Sequence, residues 1–355
     1  MNPPEKNGQT IGHILRQASN HSAFWPAIAL LIVLLACGIK SPGFLSITIS
    51  DGHLFGQLVD VARNAATPLL LALGMCLVIA TGGIDLSVGA VMAISLAVSL
   101  TWIDNSGNGT DPGVVAGALV LGLLVALLIG AFNAGMVTIL NIQPFIATMI
   151  LMVAGRGIAM LLTQGQITTV NSPPFKAIGA GHFLGIPMPI VIALLALGIL
   201  ALLVRGTAFG LMLESVGVNR EVARLAGVPA AATTWVVYVL CAFLAGLAGI
   251  VYGAPTMAAD ANNIGLMKEM DAIMVVVLGG TRLDGGRFSL GGTVVGALIL
   301  SALERAVVIF ELPSQVTPLF KAIVLIIVCI AASPRLRLRP RRLASLSPTH
   351  PAEVA

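Results

Sequence analysis

Long apolar runs recur along this chain with almost no charge inside them, and that recurrence limits the possible folds more than any motif does. A membrane-crossing helix needs about 20 mostly apolar residues. Ten runs approach that length: residues 23–39, 66–80, 84–103, 113–140, 144–163, 187–204, 230–253, 270–283, 290–312 and 316–332. Only 10% of the residues are charged and 57% are hydrophobic, where an ordinary soluble domain carries about 25% charge. The pattern predicts an all-α polytopic membrane protein of about ten transmembrane helices. Soluble enzymes, disordered chains and disulfide scaffolds are excluded, the last because the four Cys lie singly inside apolar runs.

Two of the runs are short. Residues 66–80 run into Gly82-Gly83, and 270–283 are broken at Gly279-Gly280. Broken helices are tolerated at membrane depth only where protein or a cavity covers the freed backbone, so each reads equally as a transport feature or as a bent, packed helix. Residues 51–65 place apolar side chains at helical spacing and Asp51, Gln57, Asp60 and Arg63 elsewhere. They are expected to form a short amphipathic helix at the outer interface. The first run is expected to stay as an anchor, since a long polar segment precedes it and no small-residue cleavage site follows.

Orientation follows from Lys and Arg in the short loops. With the N-terminus inside, twelve fall on inside segments, while Lys40, Arg63, Lys176 and Lys268 fall outside and Arg156, Arg305 and Lys321 lie within runs. This predicts an N-in, C-in protein with a cytoplasmic segment 1–22, a transmembrane domain 23–332 containing a cytoplasmic loop 205–229, and a basic tail 333–355. Such a tail anchors against anionic membrane lipid. It lacks the aromatics and folded platform of a nucleic-acid site, so no nucleic-acid partner is expected.

Several chemistries are absent. None of the five Lys follows a Gly, so no GxxxxGK[ST] phosphate loop exists, and there is no HExxH, CxxC or GxSxG. His13, His21, His53, His182 and His350 are scattered through loops and tails, too far apart in sequence to nominate a metal site. No catalytic residue, metal ligand or cofactor is therefore expected in this chain.

Ionisable residues at membrane depth are costly, so each is informative. Asp85, in TGGIDLSVG (81–89), is either a helix-starting carboxylate holding a tight turn or a proton or cation site. Glu304 and Arg305 are neighbours pointing about 100° apart on a helix; each should pair with another helix, and Arg156 is a candidate partner. Asn133, Gln143, Gln164, Gln166, Asn171, Asn262 and Asn263 offer amides suited to an uncharged, hydroxylated solute. A different class of reading makes the chain an ion-coupled secondary carrier working through Asp85, Arg156 and Glu304. An intramembrane enzyme would need a nucleophile–base pair that nothing here nominates.

In the loop RGTAFGLMLESVGVNREVARLAGVP (205–229), Asn219 is a good N-cap, Glu221 sits in the first turn and Arg224 in the last, Gly227 suits C′ and Pro229 blocks continuation. A two-turn helix over 219–226 is predicted, with Val222, Leu225 and Ala226 on one face and Arg220, Glu221 and Arg224 on the other. So short a helix needs a partner surface, either the chain's own membrane domain or a second protein.

TGGIDLSVG (81–89), Glu214 and Gly217 ahead of RLAG (224–227), DAIMVVVLGGT (271–281) and GGRFSLGGT (285–293) follow one another in an order that resembles the ribose-type permease family of bacterial ABC sugar importers, over nearly the whole chain. Within that family, DGHLFG (51–56), NIQPFIAT (141–148), LMVAGRG (151–157), GQITTVNSP (165–173) and ADANN (259–263) are most similar to the galactofuranose permeases. The resemblance implies a type II-like importer permease in the bacterial inner membrane. It implies a second permease subunit, identical or a sister chain, and a periplasmic sugar-binding protein delivering a monosaccharide, galactofuranose-like or another pentose or hexose. It also implies a separate ATPase subunit that binds the ATP and Mg. Glu214, Gly217, Asn219, Arg220, Glu221, Arg224 and Gly227 would then belong to a coupling helix docked on that ATPase. The loop departs from the older Glu-Ala-Ala form, since Ser215-Val216 follow Glu214.

Overall fold

In lipid a helix satisfies its own backbone N–H and C=O groups, and each of the ten apolar runs forms one. The computed structural model describes residues 24–50 and 52–332; the expected segments 1–22 and 333–355 lie outside these. The order is α1 (Phe24–Lys40), β1 (Thr48–Ser50), β2 (His53–Phe55), α2 (Gln57–Ala80), α3 (Val88–Ser106), α4 (Pro112–Thr138), α5 (Pro144–Leu162), β3 (Thr168–Thr169), α6 (Pro173–Ala180), β4 (His182–Phe183), β5 (Ile186–Pro187), α7 (Met188–Gly206), α8 (Phe209–Val218), α9 (Arg220–Leu225), α10 (Ala230–Gly253), β6 (Ala258–Ala259), α11 (Lys268–Leu278), α12 (Leu290–Ile309) and, after a 3-10 turn at Ser314–Val316, α13 (Thr317–Ala332).

Among the described residues, α2, α3, α4, α5, α7, α10 and α12 are long and apolar enough to cross a membrane, seven against the ten expected. α1 and α13 have 17 and 16 residues. α11 has only 11, about 16 Å of helix, well short of a span. The expected interfacial helix at 51–65 is corrected. Residues 53–55 pair with 48–50 as an antiparallel hairpin, and 57–65 belong to the same continuous helix as 66–80. α8 was not expected at all; it buries Gly210, Leu213 and Val216.

α10 lies at the centre, against α2, α3 and α4. Small residues let it approach closely, as membrane helix interfaces require. A Cβ on Gly249 would stand 2.2 Å from the Met92 carbonyl oxygen, and one on Gly246 would stand 2.6 Å from the Ala126 methyl. α1, α11, α12 and α13 flank one side. The hairpins β1–β2 and β4–β5 share one end of the bundle, joined by Leu54 N–H donating to the Gly185 carbonyl at 2.9 Å. α8 and α9 lie at the other end, against the close of α2.

Two stretches, 81–87 and 260–267, interrupt the helical hydrogen bonding inside the bundle. Each unsatisfied carbonyl in such a place costs several kcal/mol. α5 supplies the missing donors from positions about two turns apart. Thr148 Oγ1 shares its proton between the Pro144 carbonyl at 2.9 Å and the Ile84 carbonyl at 3.2 Å, and Arg156 Nη1 donates to the Ala261 carbonyl at 3.1 Å and to that of Ile264. A central Arg costs about 2.5–3.5 kcal/mol to insert, less than the two carbonyls it satisfies would cost if left unpaired.

Candidate functional site

α9 is fixed by local interactions. Asn219 Oδ1 accepts from the N–H groups of Glu221 and Val222, both at 3.0 Å, and the chain leaves the helix through Gly227 at φ +84°. Arg224 Nη2 meets Glu221 Oε1 at 2.6 Å on the exposed side. That hydrogen bond and the positive charge hold the Glu221 carboxyl below the usual carboxylate range. The expected apolar face is turned away from the chain: Val222 is 60% and Leu225 76% exposed, Ala226 is exposed too, and Ala223 is the residue that packs inward. Glu214 and Arg220 are exposed as well.

α8 ties this surface to the bundle through glycines. A Cβ on Gly217 would fall 1.8 Å from the Ala80 carbonyl oxygen and 2.4 Å from the Gly286 nitrogen. Gly286 N–H donates to that same Ala80 oxygen at 2.9 Å. Gly285, at φ +85°, lies under the Gly217 carbonyl. Three segments thus touch backbone to backbone where α2 ends.

The intramembrane charges fall into separate groups. Asp85, 1% exposed, accepts from Ser87 N–H at 2.9 Å and Ser87 Oγ at 2.6 Å, and Asn133 Nδ2 donates to that Ser87 oxygen at 2.8 Å. Arg156 does not pair with Glu304, as the sequence suggested it could, because the broken backbone at 261–264 occupies it. Glu304 Oε1 instead accepts from Lys321 Nζ at 2.8 Å, and Lys321 also reaches Asp271 Oδ1 at 3.1 Å. Lys268, expected in an outside loop, closes the network on Asp271 Oδ2 at 3.0 Å. Arg305 Nε is buried near Cys37, without a partner among the described residues.

Five of the seven candidate amides share one end. Gln164, Gln166 and Asn171 are exposed on the loop after α5, and Asn262 and Asn263 are exposed on the loop before α11. The β3–β6 pairing joins the two loops. Asn263 Nδ2 and the Asn262 N–H both donate to Asp260. Gln143 is exposed just ahead of α5, and Asn133 is buried beside Ser87. His53 and His182, which the sequence scatters, are stacked with ring centroids 4.4 Å apart; among the described residues no cluster of metal-ligating side chains forms.

The sequence reading did not anticipate a cavity of about 230 Å³ on the hairpin side of the charge network. Arg63, Asn64 and Thr67 of α2, Tyr252 of α10, Lys268 of α11 and Glu304 of α12 line it. The signal was present in α2, where Arg63, Asn64 and Thr67 stand just ahead of the uninterrupted apolar run that begins at Leu69. Polar residues within a span face protein or a cavity far more often than lipid.

The family described as branched-chain amino acid transport system / permease component matches residues 57–329. The galactofuranose transporter permease YtfT of Escherichia coli strain K12 is 45% identical over 316 residues, covering 88% of this chain and 91% of that protein. The fructose import permease FruF of Bifidobacterium longum is 37% identical, covering 88% of each chain. The ribose import permease RbsC of Bacillus subtilis is 34% identical, covering 85% of this chain and 90% of its own. No solved structure matches. With a family match across most of its length and sugar permeases among its relatives, the chain belongs to the ribose-type ABC permeases and is a multi-pass protein of the bacterial inner membrane.

Proposed function

We propose that this chain is the membrane subunit of an ATP-driven importer that carries a neutral monosaccharide, galactofuranose-like or another pentose or hexose, into the cytoplasm. The observation that carries the reading is α9, a six-residue helix whose Val222 and Leu225 project into solvent. So short a helix is held by its caps and not by its own propagation, and an apolar pair exposed outside the spanning helices suits a partner protein's surface. A separate ATPase subunit docks there and binds the ATP and Mg. The α8 end is then cytoplasmic, and both termini lie on that side. A second permease, identical or a sister chain, completes the pathway, and a periplasmic sugar-binding protein delivers cargo at the hairpin end. The sugar permeases among the relatives support this choice of cargo.

The test is co-purification from native membranes in mild detergent, paired with sugar uptake. An ATPase subunit is expected to elute with the tagged wild-type chain. Leu225→Asp should lose it and cut uptake at least tenfold, with the amount of chain in the membrane unchanged. Uptake that survives ATP depletion but stops when the proton gradient is dissipated would overturn the reading. It would then favour an ion-coupled carrier working through Asp85, Arg156 and Glu304.

A further inference from the structure

The cavity between α2, α10, α11 and α12 has the chemistry of a carbohydrate site. Its charges balance, since Lys268 and Lys321 face Asp271 and Glu304 within one network. An anion entering would meet Glu304, and a cation would meet Lys268 and Arg63, so both are disfavoured. What remains available is a mixture of donors and acceptors. Glu304 uses Oε1 on Lys321, and its side chain stays 41% exposed. Asn64, Thr67 and Tyr252 add an amide and two hydroxyls. Pro68 has no N–H, so the Asn64 carbonyl four residues earlier lacks its helical donor, which leaves a backbone acceptor on a turn that lines the cavity. The Tyr252 ring, partly exposed, offers an apolar face for the C–H side of a pyranose or furanose.

Size and rigidity agree with this chemistry. About 230 Å³ is room for roughly seven or eight waters at ~30 Å³ each, the scale of one small polyol. Pro68, Pro189 and Pro255 stand in the walls, and their fixed φ angles leave the shape set in advance. A Cβ on Gly179 would lie 2.4 Å from Pro255 Cδ, so that wall is also closely packed.

We propose that this cavity holds one neutral monosaccharide during passage, with Asn64, Thr67, Tyr252, Lys268 and Glu304 contacting its hydroxyls. The inference rests on the sugar-importer reading above. Its test uses the full chain in native membranes with its co-expressed partners. Thr67→Cys is labelled with a membrane-impermeant maleimide, against wild type as the blank, in the presence of D-galactose, D-fructose, D-ribose or D-galacturonate. At least one neutral sugar should slow labelling fivefold or more, while galacturonate should not. No labelling at all, no protection by any neutral sugar, or better protection by galacturonate would overturn the assignment. In parallel, Asn64→Ala and Tyr252→Ala should each lower uptake of the protecting sugar at least tenfold with the ATPase still co-purifying. Wild-type uptake matched by both variants defeats the cavity assignment alone. Uptake of the protecting sugar that survives ATP depletion and stops when the proton gradient is dissipated defeats the importer reading and this one together.

Discussion

α9 at one end of the molecule and the Lys321 network inside the bundle hold their positions in opposite ways. α9 is set by residues within a few positions of one another: Asn219 on Glu221 and Val222, Glu221 on Arg224, and Gly227 turning the chain out. The network is set by partners 17 and 50 residues apart, carried on three helices and largely out of water. Local capping leaves a surface free to be altered without disturbing the bundle. A mostly buried network makes each member depend on the others, because removing one partner leaves a charge poorly compensated where little water reaches it.

The sharpest way to break the comparison is Lys321→Met. It takes the shared cation from Asp271, which keeps Lys268, and from the part-exposed Glu304, so a loss of about 3 kcal/mol, the low end for a broken buried pair, is expected. Unfolding in detergent followed by tryptophan fluorescence reads it. An unchanged midpoint would mean the network is hydrated and resembles α9 after all. Next in size is Gly217→Ala. The new methyl collides with backbone at Ala80 and Gly286, so an overpacking cost of about 1–3 kcal/mol is expected. The same unfolding midpoint should fall, and uptake with it. The smallest effect belongs to Glu221→Gln. Both partners are fully exposed, and exposed pairs contribute little. Its midpoint should match wild type from pH 8 to pH 5. The sign is fixed by the lowered carboxyl: whatever the pair contributes is present above the ordinary Glu value of about 4.3 and is lost only as pH falls through the lower value in the folded chain. A gap between the two proteins that opens at neutral pH would show α9 to be more dependent on that pair than its exposure suggests.

The same contrast explains what the sequence could disclose. Ten helices were legible because apolar length is a local property, and the caps of α9 were legible because Asn219, Pro229 and Gly227 act on their own neighbours. The continuity of α2 was not. Arg63 and Asn64 look too costly for lipid, and only the cavity they border removes that objection. Arg156 was legible as structural glue but not in its partner, since carbonyls freed at 261 and 264 carry no sequence signal. Lys268 was separable from ordinary loop charges only once α11 was seen to begin inside the bundle. The amides were the weakest guide, because an exposed Gln on a loop and a buried Asn133 bonded to Ser87 look alike in a string of letters.

The glycine contact between Gly217, Ala80 and Gly286 has a mechanical consequence. Side chains placed between two helices act as springs, because they can change rotamer before the backbone has to move. Here that compliant layer is missing, and carbonyl and nitrogen atoms meet directly across the contact. A tug on α8 therefore reaches the end of α2 and the turn ahead of α12 with little slack to absorb it, as in a gear train without backlash.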